Sequence, residues 1–177
     1  MDIKTIPTEF IIYDVPDHNN HKAILLDLIN KIPTNPYEEV SKTDWNLPKN
    51  FERKYINYFI SNVARNMMGQ QQKYFKAKGW RIENAWFQQY QEKSSHRYHT
   101  HPQVNYTNVY FLELPDKQFK TSIQIRGKEY NYKAQEGQII TFPAYLLHRS
   151  KENGNLRKTV ISFNSNFTYE DVLSPKM

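Results

Sequence analysis

The sequence predicts a mainly β fold in which helices come first and strands follow. Two observations carry this. The hydrophobic period changes from about 3.6 to about 2 near Gly79, and the segments beyond it are short, alternating and broken by turn residues at regular intervals. Aromatic residues also make up 15% of the chain, with 13 Tyr, and Tyr and Phe favour half-buried pleated surfaces.

Taken in order, residues 10–15 form an apolar, β-branched and aromatic run closed by Pro16, which predicts a strand. Asp17 to Asn20 reads as a turn and helix cap. Leu25, Leu28, Ile29 and Ile32 then share one stripe, so an amphipathic helix is expected from His21 to Ile32, ended by Pro33. His18 and His21 read as cap and surface residues, because turns select such polar side chains. Residues 33–48 are irregular. Phe51, Tyr55, Tyr58, Phe59, Val63 and Met67 recur at three- and four-residue steps or multiples of them, predicting a long helix from Asn50 to about Ala77 that packs on a sheet and stops at Gly79.

Strands are expected at residues 82–90, 105–114, 121–126, 128–134, 137–142 and 157–164. Turns between them come from Pro115-Asp116, Gly127-Lys128, Glu136-Gly137 and residues 152–155. Strands at this density imply a sandwich or barrel. One domain is expected over residues 1–177: helical support over 1–80, a β core over 81–167 and a tail over 168–177.

Composition narrows the chemistry. The chain has no cysteine, which removes disulfides, thiolate zinc sites, iron–sulfur clusters and cysteine nucleophiles, so any metal is held by nitrogen and oxygen. The net charge of +6 is scattered rather than clustered, so no nucleic-acid partner is expected. No apolar run approaches the roughly 20 residues needed to span a bilayer, and the first residues lack a secretory apolar core. A soluble, intracellular, cytoplasmic protein is therefore expected.

Three of the six histidines fall in Ser95-His96-Arg97-Tyr98-His99-Thr100-His101-Pro102. His99 and His101 are two apart, so on an extended segment both side chains point to one side and can chelate one ion. His148, after the predicted strand 139–142, supplies a third ligand from far along the chain. Neutral imidazoles suit iron, copper, nickel and zinc, and three ligands leave open positions. Taken singly, each histidine also reads as a surface or hydrogen-bonded residue of a strand end.

The phrases His96-x-x-His99-x-His101-Pro102, Thr107-Asn-Val-Tyr110-Phe-Leu, Gly137-Gln-Ile-Ile-Thr-Phe142-Pro, His148 and Ile161-Ser-Phe-Asn164 occur in that order. Together they resemble the family of 2-oxoglutarate and Fe(II)-dependent oxygenases related to prolyl hydroxylases, a group common in bacteria and their phages. The resemblance covers residues 84–164 well and the N-terminal part loosely. It implies a double-stranded β-helix, the jelly roll also found in cupins, buttressed by helices, with Fe(II) near one mouth and 2-oxoglutarate beside it. It makes His99 the first ligand and His148 the distal one. Most of the superfamily uses His-x-Asp or His-x-Glu, whereas position 101 here is His. The subgroup's own His-x-His-Pro phrase makes His101 the third ligand, with His96 as the substitute.

The family's basic residue for the far carboxylate of 2-oxoglutarate lies about ten residues after the distal His, so Arg157 and Lys158 are both in range. Counting back from Asn164 selects Lys158, whereas the fork of Arg157 would bind a carboxylate more rigidly. Lys158 is favoured. The resemblance also turns Tyr110 toward the cosubstrate and makes Asn108, Gln88, Asn164 and His96 candidate pocket residues, while Trp86 reads as packing. The implied activity is that of a dioxygenase hydroxylating a prolyl or other peptidyl side chain, or a small molecule. The alternative is a cupin-like metal-binding module without oxygenase activity.

Overall fold

The structure, a computed structural model, describes residues 8–33, 41–130, 132 and 134–169. The helices are α1 (His18–Asn30), α2 (Lys54–Phe59) and α3 (Arg65–Tyr74), the last two joined through a π-helical turn at Ile60–Ala64. The strands are β1 (Ile11–Asp14), β2 (Lys42–Thr43), β3 (Gly79–Tyr90), β4 (His96–His99), β5 (Tyr106–Glu113), β6 (Thr121–Ile125), β7 (Lys128–Tyr130), β8 (Gln138–Pro143), β9 (Leu147–Ser150) and β10 (Lys158–Thr168). They form a six-stranded sheet in the order β1-β8-β5-β10-β3-β2 and a four-stranded sheet in the order β4-β9-β6-β7, and every pairing is antiparallel.

The two faces of the large sheet bury different things. Toward the helices, Tyr110, Leu112, Ile139, Ile161 and Phe163 pack against Leu25, Ile29, Phe59 and Met67. On the other face, Val109, Phe111, Ile140, Phe142 and Val160 meet Ile123 of the small sheet. This alternation is the period of two along each strand, made visible by the register Ile161↔Tyr110 and Ser162↔Val109. A buried polar chain fastens α3 to the sheet. Gln71 donates to Thr141 Oγ1 at 2.8 Å, Thr141 donates to Asn108 Oδ1 at 2.6 Å, and Asn108 Nδ2 donates to Ser165 Oγ at 3.0 Å.

Several boundaries move for identifiable reasons. Helix α1 starts at His18 rather than His21, because Asp17 takes a left-handed conformation (φ 50°) and completes the turn early. The long helix ends at Tyr74, and the reversal falls on Lys76 (φ 54°), so Gly79 opens β3 instead of closing the helix. Expected strand 128–134 is β7 over Lys128–Tyr130, with residues 131 and 133 outside the described set. Within the irregular stretch 33–48, residues 42–43 pair with β3, and residues 34–40 also lie outside that set. Of the expected tail, residues 170–177 lie outside it as well. Among the described residues no helix is long and apolar enough to cross a membrane.

The loop after β2 is braced by one buried carboxylate. Asp44, 1% exposed, accepts hydrogen bonds from Arg53 Nε at 3.0 Å, the Tyr55 hydroxyl at 2.7 Å and the Phe87 amide at 3.0 Å. Asp44→Ala strands all three donors, including a cation. We expect a loss of about 3–5 kcal/mol of stability in urea denaturation; a loss under about 1 kcal/mol would show that the network is dispensable.

Candidate metal centre

His99 ends β4, His101 lies two residues on in the following turn, and His148 sits within β9. Antiparallel pairing of β4 with β9 sets His99 opposite His148. The His101 amide donates to Ala144 O at 3.0 Å, which holds that turn against the segment leading into β9. One nitrogen from each of the three rings falls within 4.8 Å of the others. Nε2 of His101 and Nε2 of His148 are 3.1 Å apart. Two nitrogens bound at a right angle to one ion, each about 2.1 Å away, would be roughly 3.0 Å apart.

Ring orientation and protonation both suit a metal. Nδ1 of His148 lies 2.9 Å from Leu146 O, and Nδ1 of His99 lies 2.8 Å from Arg97 O. Donation to those carbonyls protonates Nδ1 and leaves Nε2 with its lone pair available. Burial, then the neighbouring His99, brings His148 down to about 3 and His101 to about 4, and burial lowers His99. All three lowered values favour neutral imidazoles at pH 7, the form that can ligate a metal. Among the described residues no carboxylate joins this group, so an ion here keeps its full charge. His96 stands at the side: its ring centroid is 4.1 Å from that of His99, but it is not part of the converging set.

Behind the triad, one pocket is lined by His99, His101 and His148 together with Tyr90, Ser150 and Lys158. Lys158, 2% exposed, donates to Ser150 Oγ at 2.5 Å and lies 4.1 Å from the centre of the Tyr90 ring. Its desolvation pulls the ammonium down to about 7. Its neighbour on the opposite face has another role. Arg157 forms a two-pronged pair with Glu113, at 2.9 and 2.8 Å, and does not line the pocket.

The register turns two of the candidate residues away from the pocket. Tyr110 and Asn108 point to the helical side of the large sheet, where the Tyr110 hydroxyl lies 2.7 Å from His18 Nδ1 and Asn108 belongs to the Gln71–Ser165 chain. Their β5 neighbours Thr107 and Val109 line the pocket instead. Gln88 does line it, accepting from the Tyr90 hydroxyl at 2.9 Å, and Asn164 lies 3.2 Å from Nδ1 of His101. Trp86 does more than pack, since it lines the pocket and its ring centre lies 5.6 Å from that of His101. Sequence reasoning missed Tyr90 and Ser150, although both share the inward alternation of Gln88 and His148 that marks this face.

No family model and no curated protein matches the sequence. Solved structures do. An oxidoreductase of the 2OG-Fe(II) oxygenase family from Burkholderia pseudomallei superposes with a TM-score of 0.68 at 12% identity, over 89% of this chain and 84% of its own. The fold is shared with the 2OG-Fe(II) oxygenases. Viral collagen prolyl hydroxylase from Paramecium Bursaria Chlorella virus-1, in its 2-oxoglutarate complex, gives 0.60 at 13% identity over 91% of this chain and 96% of its own. HygX from Streptomyces hygroscopicus, with nickel and 2-oxoglutarate bound, gives 0.68 at 7% identity over 90% and 83%. This oxygenase fold is thus matched along nearly the whole length of the chain, while its sequence has diverged almost completely.

Proposed function

We propose that the protein is an Fe(II)- and 2-oxoglutarate-dependent oxygenase on a double-stranded β-helix, with His99, His101 and His148 as metal ligands. The observation that carries this is a neutral histidine triad sharing one pocket with a buried lysine. The β-helix is supported by strand order: from β3 to β10 the chain crosses between two antiparallel sheets at every step except β6 to β7.

Bound together, Fe(II) and 2-oxoglutarate would activate O2, the oxidant, for removal of hydrogen from a substrate C–H bond, with 2-oxoglutarate giving up two electrons as it becomes succinate and CO2. The chain's own residues do the rest. The triad gives three neutral nitrogens and leaves coordination positions open. Lys158 offers a charge-assisted hydrogen bond to the far carboxylate of 2-oxoglutarate, with Ser150 as a second donor and the Tyr90 ring walling off water. Arg157, engaged with Glu113, takes no part. The substrate is a peptidyl side chain or a small molecule. Prolyl hydroxylases among the fold's neighbours favour the first, and the cleft described below favours the second.

The cupin-like alternative, a metal module without oxygenase activity, is favoured by the missing carboxylate. The two readings part on turnover. An oxygenase converts 2-oxoglutarate to succinate slowly even without substrate, dependent on Fe(II) and O2 and abolished by His148→Ala. A protein that binds metal yet yields no succinate is the module.

Lys158 also sets a pH dependence. Its amine titrates near 7 in the folded protein against 10.5 ordinarily, so the unfolded chain binds more protons across that window and stability rises with pH there. Cosubstrate binding runs the other way. A carboxylate favours the ammonium, so above pH 7 binding takes up a proton and affinity falls by up to about tenfold per unit. Calorimetric titration from pH 6.5 to 9 should show that fall in the native protein, and Lys158→Arg, which keeps its charge, should flatten it. A flat native profile would remove Lys158 from the carboxylate site.

A further inference from the structure

Adjoining the triad pocket, and sharing Trp86, Gln88, His96, His99 and His101 with it, lies a cleft of about 560 Å³ whose composition is selective. None of its 13 lining residues is Lys, Arg, Asp or Glu, in a chain where 24% of residues are charged. No Leu, Ile, Val or Met lines it either; beside Pro102 and the imidazoles of His96, His99 and His101, its large rings are two indoles. Its polar surface is made of neutral groups that both donate and accept: the amides of Asn46, Asn84, Gln88 and Asn164, and the hydroxyls of Ser41, Thr43 and Thr100. Ser41 is 5% exposed, and its hydroxyl has no hydrogen-bond partner among the described residues. A buried hydroxyl in that state costs free energy until something reaches it.

The indoles are placed with care. Trp45 is 56% exposed, yet its loop is held rigid by Arg53, which donates to the carbonyls of Asp44, Leu47, Pro48 and Phe51 besides the Asp44 carboxylate. Trp45 meets Trp86 edge to face, with centroids 4.8 Å apart, and Trp86 in turn leans over His101. A large exposed ring on a braced loop is preorganised to bind, because little side-chain freedom remains to be lost.

We propose that this cleft binds a neutral, polyhydroxylated ring, sugar-like in chemistry, with its C–H face on Trp45 and its hydroxyl rim on the surrounding amides and hydroxyls. The proposal rests on the oxygenase reading only in making this ring the substrate; the binding itself does not require it. With a divalent metal and dianionic 2-oxoglutarate cancelling each other at the triad, charged ligands would lose solvation without a side-chain counterion in the cleft, and aliphatic ones would strand the amides. An extended peptide is disfavoured by the strand edges that flank the cleft. Strand β2 has two residues, β4 has four with pairing interrupted between His96 and His99, and the Arg97 carbonyl is already taken by His99. Neither edge offers the run of backbone groups that strand addition uses.

The test is saturation-transfer NMR with a panel of methyl glycosides and, in parallel, a neutral proline-containing peptide. It is run on protein alone and on protein loaded with Mn(II) and 2-oxoglutarate, which gives no turnover. At least one glycoside should show saturable transfer to its ring C–H protons. Trp45→Ala should weaken it at least tenfold and Trp45→Phe less, with Mn(II) and 2-oxoglutarate affinities unchanged. The proposal is overturned by no glycoside binding up to 20 mM, an estimate of about 2.3 kcal/mol at 1 M standard state, by binding indifferent to Trp45, or by the peptide binding in place of every glycoside. Failure of Mn(II) and 2-oxoglutarate to bind would instead strike the oxygenase reading, since their binding needs His148 and Lys158, which do not line this cleft, and does not need Trp45, which does.

Discussion

His148→Ala should lower metal affinity by more than about 100-fold, because losing even a residue that only supports a ligand typically costs roughly 10–100-fold. The residue is 3% exposed, directs Nε2 to within 3.1 Å of His101 and is tied through Nδ1 to Leu146 O. The fold should survive. The deleted ring leaves a small cavity worth about 1–3 kcal/mol, visible as a lower melting temperature with an unchanged circular dichroism spectrum. His101→Asp is the informative companion. It exchanges a neutral ligand for a charged one on a turn with room to adjust, and metal should still bind. Retained affinity in a His101→Ala variant, beside the loss in His148→Ala, would mean that the third ligand is not at position 101, and His96 would be tested next. Isothermal titration with Mn(II) or Ni(II) measures all of this without turnover.

Lys158→Met should lower 2-oxoglutarate affinity about 10–100-fold, the range of one charge-assisted hydrogen bond at 1.5–3 kcal/mol. Its effect on folding has the opposite sign from that of most core substitutions. The amine is desolvated enough to titrate near 7, so an apolar chain of similar length removes a cost, and the melting temperature should hold or rise. Arg157→Met reverses both outcomes. It breaks the pair with Glu113, which Thr159 also reaches by hydrogen bond, and lowers stability by on the order of 1 kcal/mol while leaving 2-oxoglutarate affinity intact. If Arg157→Met lost the cosubstrate and Lys158→Met kept it, the pocket would be wrongly assigned.

Long strands were legible in the sequence because each carries enough alternating residues to reveal its period: β3, β5, β8 and β10 lie where the pattern puts them. Strands β4 and β9 were not, since each has four residues, mostly polar, and their pairing runs through His96↔Ser150 and His99↔His148, contacts that no local pattern encodes. The histidine cluster was legible from spacing, and its third member from being the one late histidine. Which face of β5 meets the pocket was not. Thr107 and Val109 alternate with Asn108 and Tyr110, so both faces mix polar and apolar residues, and only register with β10 distinguishes them. The face was readable one strand away, where Lys158, Ser162 and Asn164 alternate with Ile161 and Phe163. Trp45 lies in a stretch without period, where position comes from the Asp44–Arg53 network, the Thr43 hydroxyl and the Trp86 ring.

The triad and the lysine pocket are tested together by one anaerobic titration. Fe(II) and 2-oxoglutarate added to the purified protein should produce a metal-to-ligand charge-transfer band in the visible region, saturating at one iron per chain and absent when either component is omitted. A band that never forms, with no 2-oxoglutarate bound at saturating iron, would contradict an oxygenase centre at His99, His101 and His148.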